Sequence, residues 1–510
     1  MIRPRDLLVV YEKLPEPRAC GSDLRLWQLL EEFARDGHRV HFLGRSPGGD
    51  ERDRAELEQL CERVHGPDPE RIHWGELALP RVDVAQLLAT QPFDAVFFDQ
   101  FFWTGNSVTE QYLPLVRAAQ PRTPVVVLSD DCHWLREERR AQREQSRAAV
   151  ERARALREKE RWTLESAELC AAITPEDLQR LQTEFPAAQL RALAFCQSEI
   201  PETTPGFEER SGLVFLGSGG NEANIQGLRW FLREVWPLLR AAQPALELSI
   251  VGTPPENGWG SEGLAGVRVL GRVDELGPLL QAARVFVSPV AWGTGIKTKN
   301  VQAIGHGLPL VLNAISAEGM QLVPDEAGFV REEPEAFAQA VLALHGEREL
   351  WQRASRAALE HARRVFGRER VALDLRALLD EALATPVRPQ AGCEPGPGTQ
   401  AELRFPEMRA ARKLSDRYVP LLKWARELIA QGRHGEALQQ LRNVFCEFSC
   451  SRVPEEFYAE THILLAQVYT RCHELGEASQ AAIEALRLLP AGDLVRRPVL
   501  ERVAALAGAR

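Results

Sequence analysis

Short apolar segments alternate with amphipathic segments in two separate series, and this pattern constrains the fold of the chain more than any other feature. In the first series Gly37 closes an amphipathic segment, Ser22–Asp36, so strand, helix and strand follow one another at the start of the chain. The predicted buried strands of this series are Leu7–Val10, Arg39–Leu43, Ala95–Phe98, Pro124–Leu128, Leu169–Ile173 and Leu190–Phe195. Their alternation with helices predicts a parallel, doubly wound sheet.

A second series begins after a stretch with Pro201, Pro205 and Gly206. Its predicted strands are Leu213–Leu216, Leu246–Val251, Val267–Leu270, Val285–Ser288 and Leu308–Leu312, with helices such as Asn224–Leu239 and Leu276–Ala283 between them. Because 510 residues exceed what one core usually supports, we assign an α/β domain to residues 1–197 and another to 211–384.

The end of the chain has a different composition. Residues 385–399 hold four prolines and three glycines, which predicts a linker at 385–404. Beyond it, 405–510 is predicted to be entirely helical. Two of its segments carry residues at the spacing of the tetratricopeptide repeat: Trp424, Ala425, Leu428, Gly432, Ala437, Leu441 and Val444, then Leu465, Ala466, Tyr469, Ala478, Ala482, Ala485 and Pro490. Such repeats predict a docking site for a protein partner.

Charge and cysteine content exclude several functional classes. The formal net charge of -10 repels nucleic acid. The apolar run Leu7–Tyr11 is too short for a signal peptide or a membrane span, and no other run approaches spanning length. Nine cysteines without paired spacing indicate reduced thiols and a cytoplasmic protein. Cys446 and Cys450, near Cys472 and His473, lie at helical positions where cysteine is a small apolar residue, so no metal site is predicted.

The segment Trp292-Gly293-Thr294-Gly295-Ile296-Lys297 carries the clearest chemical signal. It follows a predicted strand and precedes a predicted helix, so its two glycines let backbone amides approach a ligand at a helix N-terminus. Lys297 adds a positive charge. This arrangement suits a diphosphate, although a glycine pair by itself is equally compatible with a tight turn.

Eight short motifs, the first of them followed by Asn224, then occur in the order and spacing of one known family. They are Leu213-Val214-Phe215-Leu216-Gly217 with Asn224, Pro237-Leu238-Leu239, Ile250-Val251-Gly252, Val269-Leu270-Gly271-Arg272-Val273, Ser288-Pro289, Gly293-Thr294-Gly295-Ile296-Lys297, Gly307-Leu308-Pro309 and Ala317-Glu318-Gly319. In the first domain, Gly21 through Gly37-His38-Arg39-Val40 and Asp130-Asp131-Cys132-His133 with Leu135-Arg136-Glu137 add to them. Over about Leu7–Leu383 the chain resembles the family 4 glycosyltransferases.

The resemblance implies the GT-B fold, in which two Rossmann-like domains face each other, and a nucleotide diphosphate sugar as co-substrate, without a cofactor or metal and with retention of configuration. It implies that Lys297 neutralises the leaving diphosphate. Gly217, Gly293 and Gly295 would admit the donor closely. His133 would contact the transferred sugar, although a surface histidine at a helix start is the alternative.

Other site positions are less definite. Gly21 and Arg136 are assigned to the acceptor side, although the arginine-rich helix from Arg136 to Lys159 also fits a solvated, salt-bridged helix. Many relatives have a glutamate that binds the donor ribose where this chain has Gln302, and an amide carries no charge. Glu318 is a further donor contact or, alternatively, a helix cap.

The sequence therefore predicts a glycosyltransferase that uses a glycan or protein acceptor. One alternative is a catalytically degenerate protein that binds a nucleotide sugar or a partner, which Gln302 favours. The other is a sugar-nucleotide epimerase, which would require its own acid and base carboxylates in the cleft.

Overall fold

The computed structural model describes two parallel α/β domains and part of a helical tail. The residues described are 3–18, 21–46, 51–65, 84–100, 107–144, 147–197 and 199–387, without 256, 262 and 274; in the tail they are 422–423, 425–437, 441, 455–471, 478, 481–483, 485–486 and 497–504.

The first domain is built on a seven-stranded sheet in the order β3-β2-β1-β4-β5-β6-β7, with all neighbouring strands parallel. Its elements are β1 (Asp6–Lys13), α1 (Gly21–Arg35), β2 (Arg39–Ser46), α2 (Glu51–Leu60), β3 (Arg63–His65), α3 (Val84–Thr90), β4 (Ala95–Gln100), α4 (Val108–Ala119), β5 (Val125–Ser129), α5 (His133–Glu144), α6 (Arg147–Ser166), β6 (Leu169–Ala172), α7 (Pro175–Glu184) and β7 (Leu190–Ala192). Leu7 and Val9 enter one apolar cluster and Leu8 and Val10 the other, because successive strand side chains point to opposite faces of the sheet.

The second domain repeats this plan with six parallel strands in the order β10-β9-β8-β11-β12-β13. Its elements are β8 (Leu213–Leu216), α8 (Glu222–Trp230), α9 (Trp236–Ala242), β9 (Leu248–Val251), β10 (Val267–Gly271), α10 (Gly277–Ala282), β11 (Val285–Ser288), α11 (Thr298–Gly305), β12 (Leu310–Leu312), α12 (Ala314–Ala317), β13 (Gly328–Val330), α13 (Pro334–Gly346), α14 (Arg348–His361) and α15 (Arg368–Ala384). Two Rossmann-like domains are therefore confirmed.

Several elements differ from the sequence prediction. The predicted helix Asn224–Leu239 is divided by a π-helical turn at Phe231–Val235, which is followed by α9 with Pro237 in its first turn. Proline has no backbone N–H to donate within a continuous helix, which explains why the helix is interrupted just before Pro237. The edge strands β3 and β13 were not predicted, since three residues are too few to show a period.

Helix α15 connects the end of the second domain to the first. Its buried Val371, Leu375 and Leu379 belong to the same apolar cluster as the strands of the first domain. Arg376 also donates two hydrogen bonds to Asp36, at 2.6 and 2.7 Å. Although the sequence assigned residues up to 384 to the second domain, this helix therefore packs on the first, because its apolar face matches that core.

The tail contains α16 (Glu455–Arg471) and α17 (Arg497–Ala504) among its described residues. Ala425, Leu465, Tyr469, Ala478 and Ala482, all positions of the predicted repeat, lie in one buried cluster. Most of the predicted linker, from residue 388 to 404, lies outside the described residues, as do Trp424, Val444 and Pro490, so the tetratricopeptide-like repeat stays a prediction. Within the described part of the chain, no helix is both long and apolar enough to cross a membrane.

Candidate active site

The candidate site lies where the two sheets face each other. In each sheet the strand order reverses between two strands, β1 and β4 in the first domain and β8 and β11 in the second. Ligands of open α/β sheets bind at the carboxyl ends of strands at such a point. Gly217 directly follows β8, and the predicted glycine and lysine segment follows β11. Both sequence signals therefore meet at one edge of the second sheet.

The loop after β11 holds Gly293, Gly295 and Lys297. Gly293 has φ 140° and Gly295 has φ 64°, conformations that favour glycine. Lys297 Nζ donates to the carbonyl oxygens of Thr294 at 3.0 Å and Gly295 at 2.6 Å. Burial lowers the pKa of Lys297, while the carboxylates of Asp131, Glu318 and Asp177 act to raise it.

This loop contacts the first domain directly. Thr294 Oγ1 donates to the carboxylate of Asp131, and a Cβ added at Gly295 would lie 2.9 Å from Asp131 Oδ1. Although burial acts to raise the pKa of Asp131, Arg136 and His133 hold it below its usual value. The predicted motif of the first domain thus faces the predicted lysine loop across the cleft.

His133 is the first residue of α5, with 0% of its surface exposed. The alternative of a surface histidine is therefore wrong. Glu160 of α6 fixes this helix start, because its carboxylate accepts from the backbone N–H of His133 at 3.2 Å and of Trp134 at 2.8 Å. Burial raises the pKa of Glu160 to about 8.

The other predicted site residues are Arg136, Gly21, Gly217 and Gln302. Arg136 of α5 pairs with Asp131, which lies just before that helix, with Nη1 3.3 Å from Oδ2. A Cβ added at Gly21 would lie 2.2 Å from Thr298 Oγ1, so α1 begins against α11 of the second domain. A Cβ at Gly217 would lie 2.9 Å from the Phe215 ring. Gln302 is half-buried on α11.

Glu318 joins the two domains. Its carboxylate accepts from Arg139 at 2.7 and 3.1 Å and also pairs with Arg180. Arg139 additionally donates to Gly293 O at 2.6 Å. Burial acts to raise the pKa of Glu318, but Arg139 and Arg180 lower it overall. The side chain lies against arginines of the first domain, and the residue occupies the C-cap position of α12, so the donor contact and the helix cap both stay predictions.

Sequence reasoning missed three residues at this site: Glu160, Arg139 and Lys299. The charged stretch that contains Arg139 and Lys159 forms two helices, α5 and α6, and Lys159 and Glu160 are both about 1% exposed. The prediction of a solvated, salt-bridged helix over Arg136–Lys159 is therefore wrong at Lys159. The position of Lys299, two residues after Lys297, was a signal in the sequence. No feature of the sequence pointed to Glu160.

Substitution of Glu160 by glutamine is expected to change the pH dependence of stability. An unfolded glutamate has a pKa of about 4.3, whereas the folded value is about 8. The folded protein therefore holds the extra proton between these values, and stability falls as pH rises through that window, by up to about 1.4 kcal/mol per pH unit. Glu160→Gln removes this loss, so its thermal midpoint relative to wild type rises between about pH 5 and 8.

Glu158→Gln is the matched control, since Glu158 lies on the same helix with 46% of its side chain exposed. It should keep the wild-type pH dependence of the thermal midpoint. Parallel curves for wild type and Glu160→Gln would show that Glu160 is not protonated in the folded state.

The fold defines a class of protein: two parallel α/β domains whose loops face each other across a cleft. Residues 21–195 match the family described as "Glycosyl transferase 4-like domain" and residues 210–347 match "Glycosyl transferases group 1". Both α/β domains belong to glycosyltransferase families, and the protein is a member of that class.

Several solved structures are similar in fold. Sucrose-phosphate synthase from Thermosynechococcus elongatus has a TM-score of 0.55 at 16% identity, over 74% of this chain and 100% of that one. A glycosyltransferase from Rickettsia africae has a TM-score of 0.55 at 11% identity, over 75% and 99%. Anabaena HepE, solved in complex with UDP and glucose, has 0.51 at 17% identity, over 73% and 99%. At these identities the likeness shows the fold alone.

One curated relative is similar in sequence over a shorter range. It is an uncharacterised 44.6 kDa protein in the cps region of Klebsiella pneumoniae, 25% identical over 140 residues. The match covers 26% of this chain and 36% of the relative. The chain therefore spans little more than a third of that relative's length.

Proposed function

We propose that this protein transfers a sugar from a nucleotide diphosphate sugar to a glycan or protein acceptor. The observation that carries the proposal is the loop after β11, where two glycines with positive φ and the ammonium of Lys297 face Asp131 of the other domain. A diphosphate leaving group develops charge as the sugar departs, and a fixed, half-buried cation stabilises that charge. HepE, solved with UDP and glucose, adds a precedent on this fold.

Each predicted residue has a role in this proposal. Lys297 neutralises the diphosphate, and Gly217, Gly293 and Gly295 admit it. Gln302 and Glu318 complete the donor site. The buried His133 contacts the transferred sugar. Gly21 and Arg136 lie on the acceptor side, and closure of the domains excludes water.

Three further points rest on the family resemblance or on the tail sequence alone. The reaction retains the configuration of the sugar, and no metal ion takes part. The helical tail docks a protein partner, which places a protein acceptor within reach.

A donor screen tests the proposal. Purified protein is mixed with nucleotide sugars that differ in base and sugar, and the thermal midpoint is measured for each, since a ligand that binds the folded state raises it. Donors that bind are then followed for hydrolysis and for transfer to acceptors. We expect at least one nucleotide sugar to raise the midpoint and to be consumed.

The outcomes separate the alternatives. Binding without hydrolysis or transfer would indicate a catalytically degenerate binding protein, the function that Gln302 favours. A changed sugar without any second substrate would indicate an epimerase. Absence of binding by every nucleotide sugar tested would contradict the proposal.

A further inference from the structure

One buried serine bonds both ends of the loop that carries Lys297. Val290, where this loop begins, donates its backbone N–H to Ser316 Oγ at 3.1 Å. Asn300, which lies beyond Lys297 on α11, donates from its side-chain amide to Ser316 O at 2.8 Å. Ser316 and Asn300 are both 0% exposed. The donor loop, residues 290–300, is therefore attached to α12 through one residue at its entry and at its exit.

The N-cap of α12 adds a second bond at the entry of the donor loop. Asn313 Oδ1 accepts from the backbone N–H of Ser316 at 3.1 Å, and the side-chain amide of Asn313 donates to Val290 O at 2.7 Å. Both backbone groups of Val290 are thus bonded to side chains of α12 and its cap. A shift of the donor loop away from α12 would leave buried polar groups without partners, which is unfavourable.

The side chain of Asn300 is kept at a cost to the fold. Its nitrogen bonds Ser316 O, but its Oδ1 is buried and accepts no hydrogen bond from any of the described residues. A buried polar atom without a partner destabilises the folded state. An apolar side chain of similar size would avoid this cost. The amide is therefore better explained by the contact that it holds than by stability.

The other end of α12 reaches the first domain. Glu318 occupies the C-cap position, two residues after the buried serine, and pairs with Arg139 and Arg180. At Gly319, which follows, a Cβ would lie 2.6 Å from Thr174 Cγ2 of the first domain. Helix α12 is therefore bonded to the donor loop along its length and to the first domain at its end.

We propose that Ser316 is a positioning residue that couples binding of the donor to the contact between the two domains. The inference rests on the proposed function, because the ligand is the nucleotide sugar of that proposal. A donor that fixes the donor loop also fixes α12, and with it Glu318. Coupling between two sites is reciprocal, so loss of an arginine that binds Glu318 should weaken donor binding through Ser316.

Substitution of Arg180 isolates this coupling. Arg180 pairs with Glu318 and, among the described residues, with none of the donor loop, whereas Arg139 also donates to Gly293 O. UDP-glucose, GDP-mannose and ADP-glucose are titrated into the full chain by calorimetry. We expect Arg180→Ala to bind the donor about fivefold more weakly than wild type. In Ser316→Ala the same substitution should change the affinity by less than about twofold, because the connection is already lost.

Hydrogen exchange of the free protein gives a second readout that requires no donor. In the wild-type background, Arg180→Ala should speed amide exchange in the donor loop as well as in residues 314–321, by about threefold or more. In the Ser316→Ala background, the increase caused by Arg180→Ala should be confined to residues 314–321.

Ser355→Ala is the matched control for Ser316→Ala. The buried hydroxyl of Ser355 donates to Gly307 O at 2.7 Å, in the same domain but outside the donor loop. Each substitution therefore removes one buried hydrogen bond, and the two should lower the thermal midpoint by similar amounts. In Ser355→Ala the effects of Arg180→Ala on donor affinity and on exchange should stay as in wild type.

The results distinguish two kinds of failure. Equal effects of Arg180→Ala on donor affinity with and without Ser316 would overturn the inference, since Glu318 would then act on the donor directly. Faster exchange confined to residues 314–321 in the wild-type background would overturn it as well. If none of the three donors binds the wild-type protein at millimolar concentration, the proposed function is overturned, and the exchange result alone decides whether Ser316 couples the donor loop to Glu318.

Discussion

Replacement of Lys297 by alanine is expected to lower the rate of sugar transfer by about a hundredfold, as loss of one transition-state electrostatic contact commonly does. Its ammonium lies beside the glycines of the loop after β11, and burial lowers its pKa. A charge already held in place by the loop costs no reorganisation when the diphosphate departs, which makes its effect on the rate large. The measurement is kcat and KM for the donor found in the screen.

Controls separate catalysis from folding. Lys297 also donates to two carbonyl oxygens of its own loop, so its loss could disturb the loop conformation. Lys297→Arg keeps a positive charge at this position, and Lys297→Met keeps only the apolar part of the side chain. The thermal midpoint of each variant is compared with that of the wild type. If Lys297→Ala transfers sugar at nearly the wild-type rate, Lys297 does not neutralise the leaving group.

The fold could be predicted because its information is local. The apolar runs Leu7–Val10 and Val285–Ser288 are long enough to show buried strands, and parallel order follows from the helices between them. The donor loop was predicted for a similar reason. Gly293, Gly295 and Lys297 are close in sequence, so their joint position after β11 requires no knowledge of distant contacts.

Contacts between distant segments could not be predicted. Glu160 lies 27 residues from His133, in a stretch where charged residues usually face solvent. Only the packing of α6 against the start of α5 shows that this carboxylate is buried. Arg139 lies 179 residues from Glu318, and the sequence around either residue does not identify the other as its partner. Sequence periodicity identifies the solvated face of a helix, but it does not identify the charged side chains on that face that tertiary packing buries.

The ion pair between Arg139 and Glu318 should hold the cleft closed, so that Arg139→Ala lowers kcat/KM for the donor by about tenfold. Arg139 bonds Glu318 through two nitrogens, and 26% of the arginine and 10% of the glutamate side chain remain exposed. A bidentate, partly buried pair is worth more than an exposed one. Closure excludes water from the activated sugar, so hydrolysis of the donor should rise relative to transfer in the variant.

A double-mutant cycle isolates this pair from the other contacts of the cleft. Arg139→Ala, Glu318→Ala and the double variant should show a coupling of about 1–2 kcal/mol in donor binding, because the second substitution removes little that the first has left. Arg143 is the matched control on the same helix, since it also reaches the second domain, at Ala291 O and Gln226, but is exposed. Arg143→Ala should change kcat/KM much less. Additive effects of the Arg139 and Glu318 substitutions would mean that the pair does not favour the catalytic arrangement. Tighter donor binding by Arg139→Ala would mean that the donor must displace the pair.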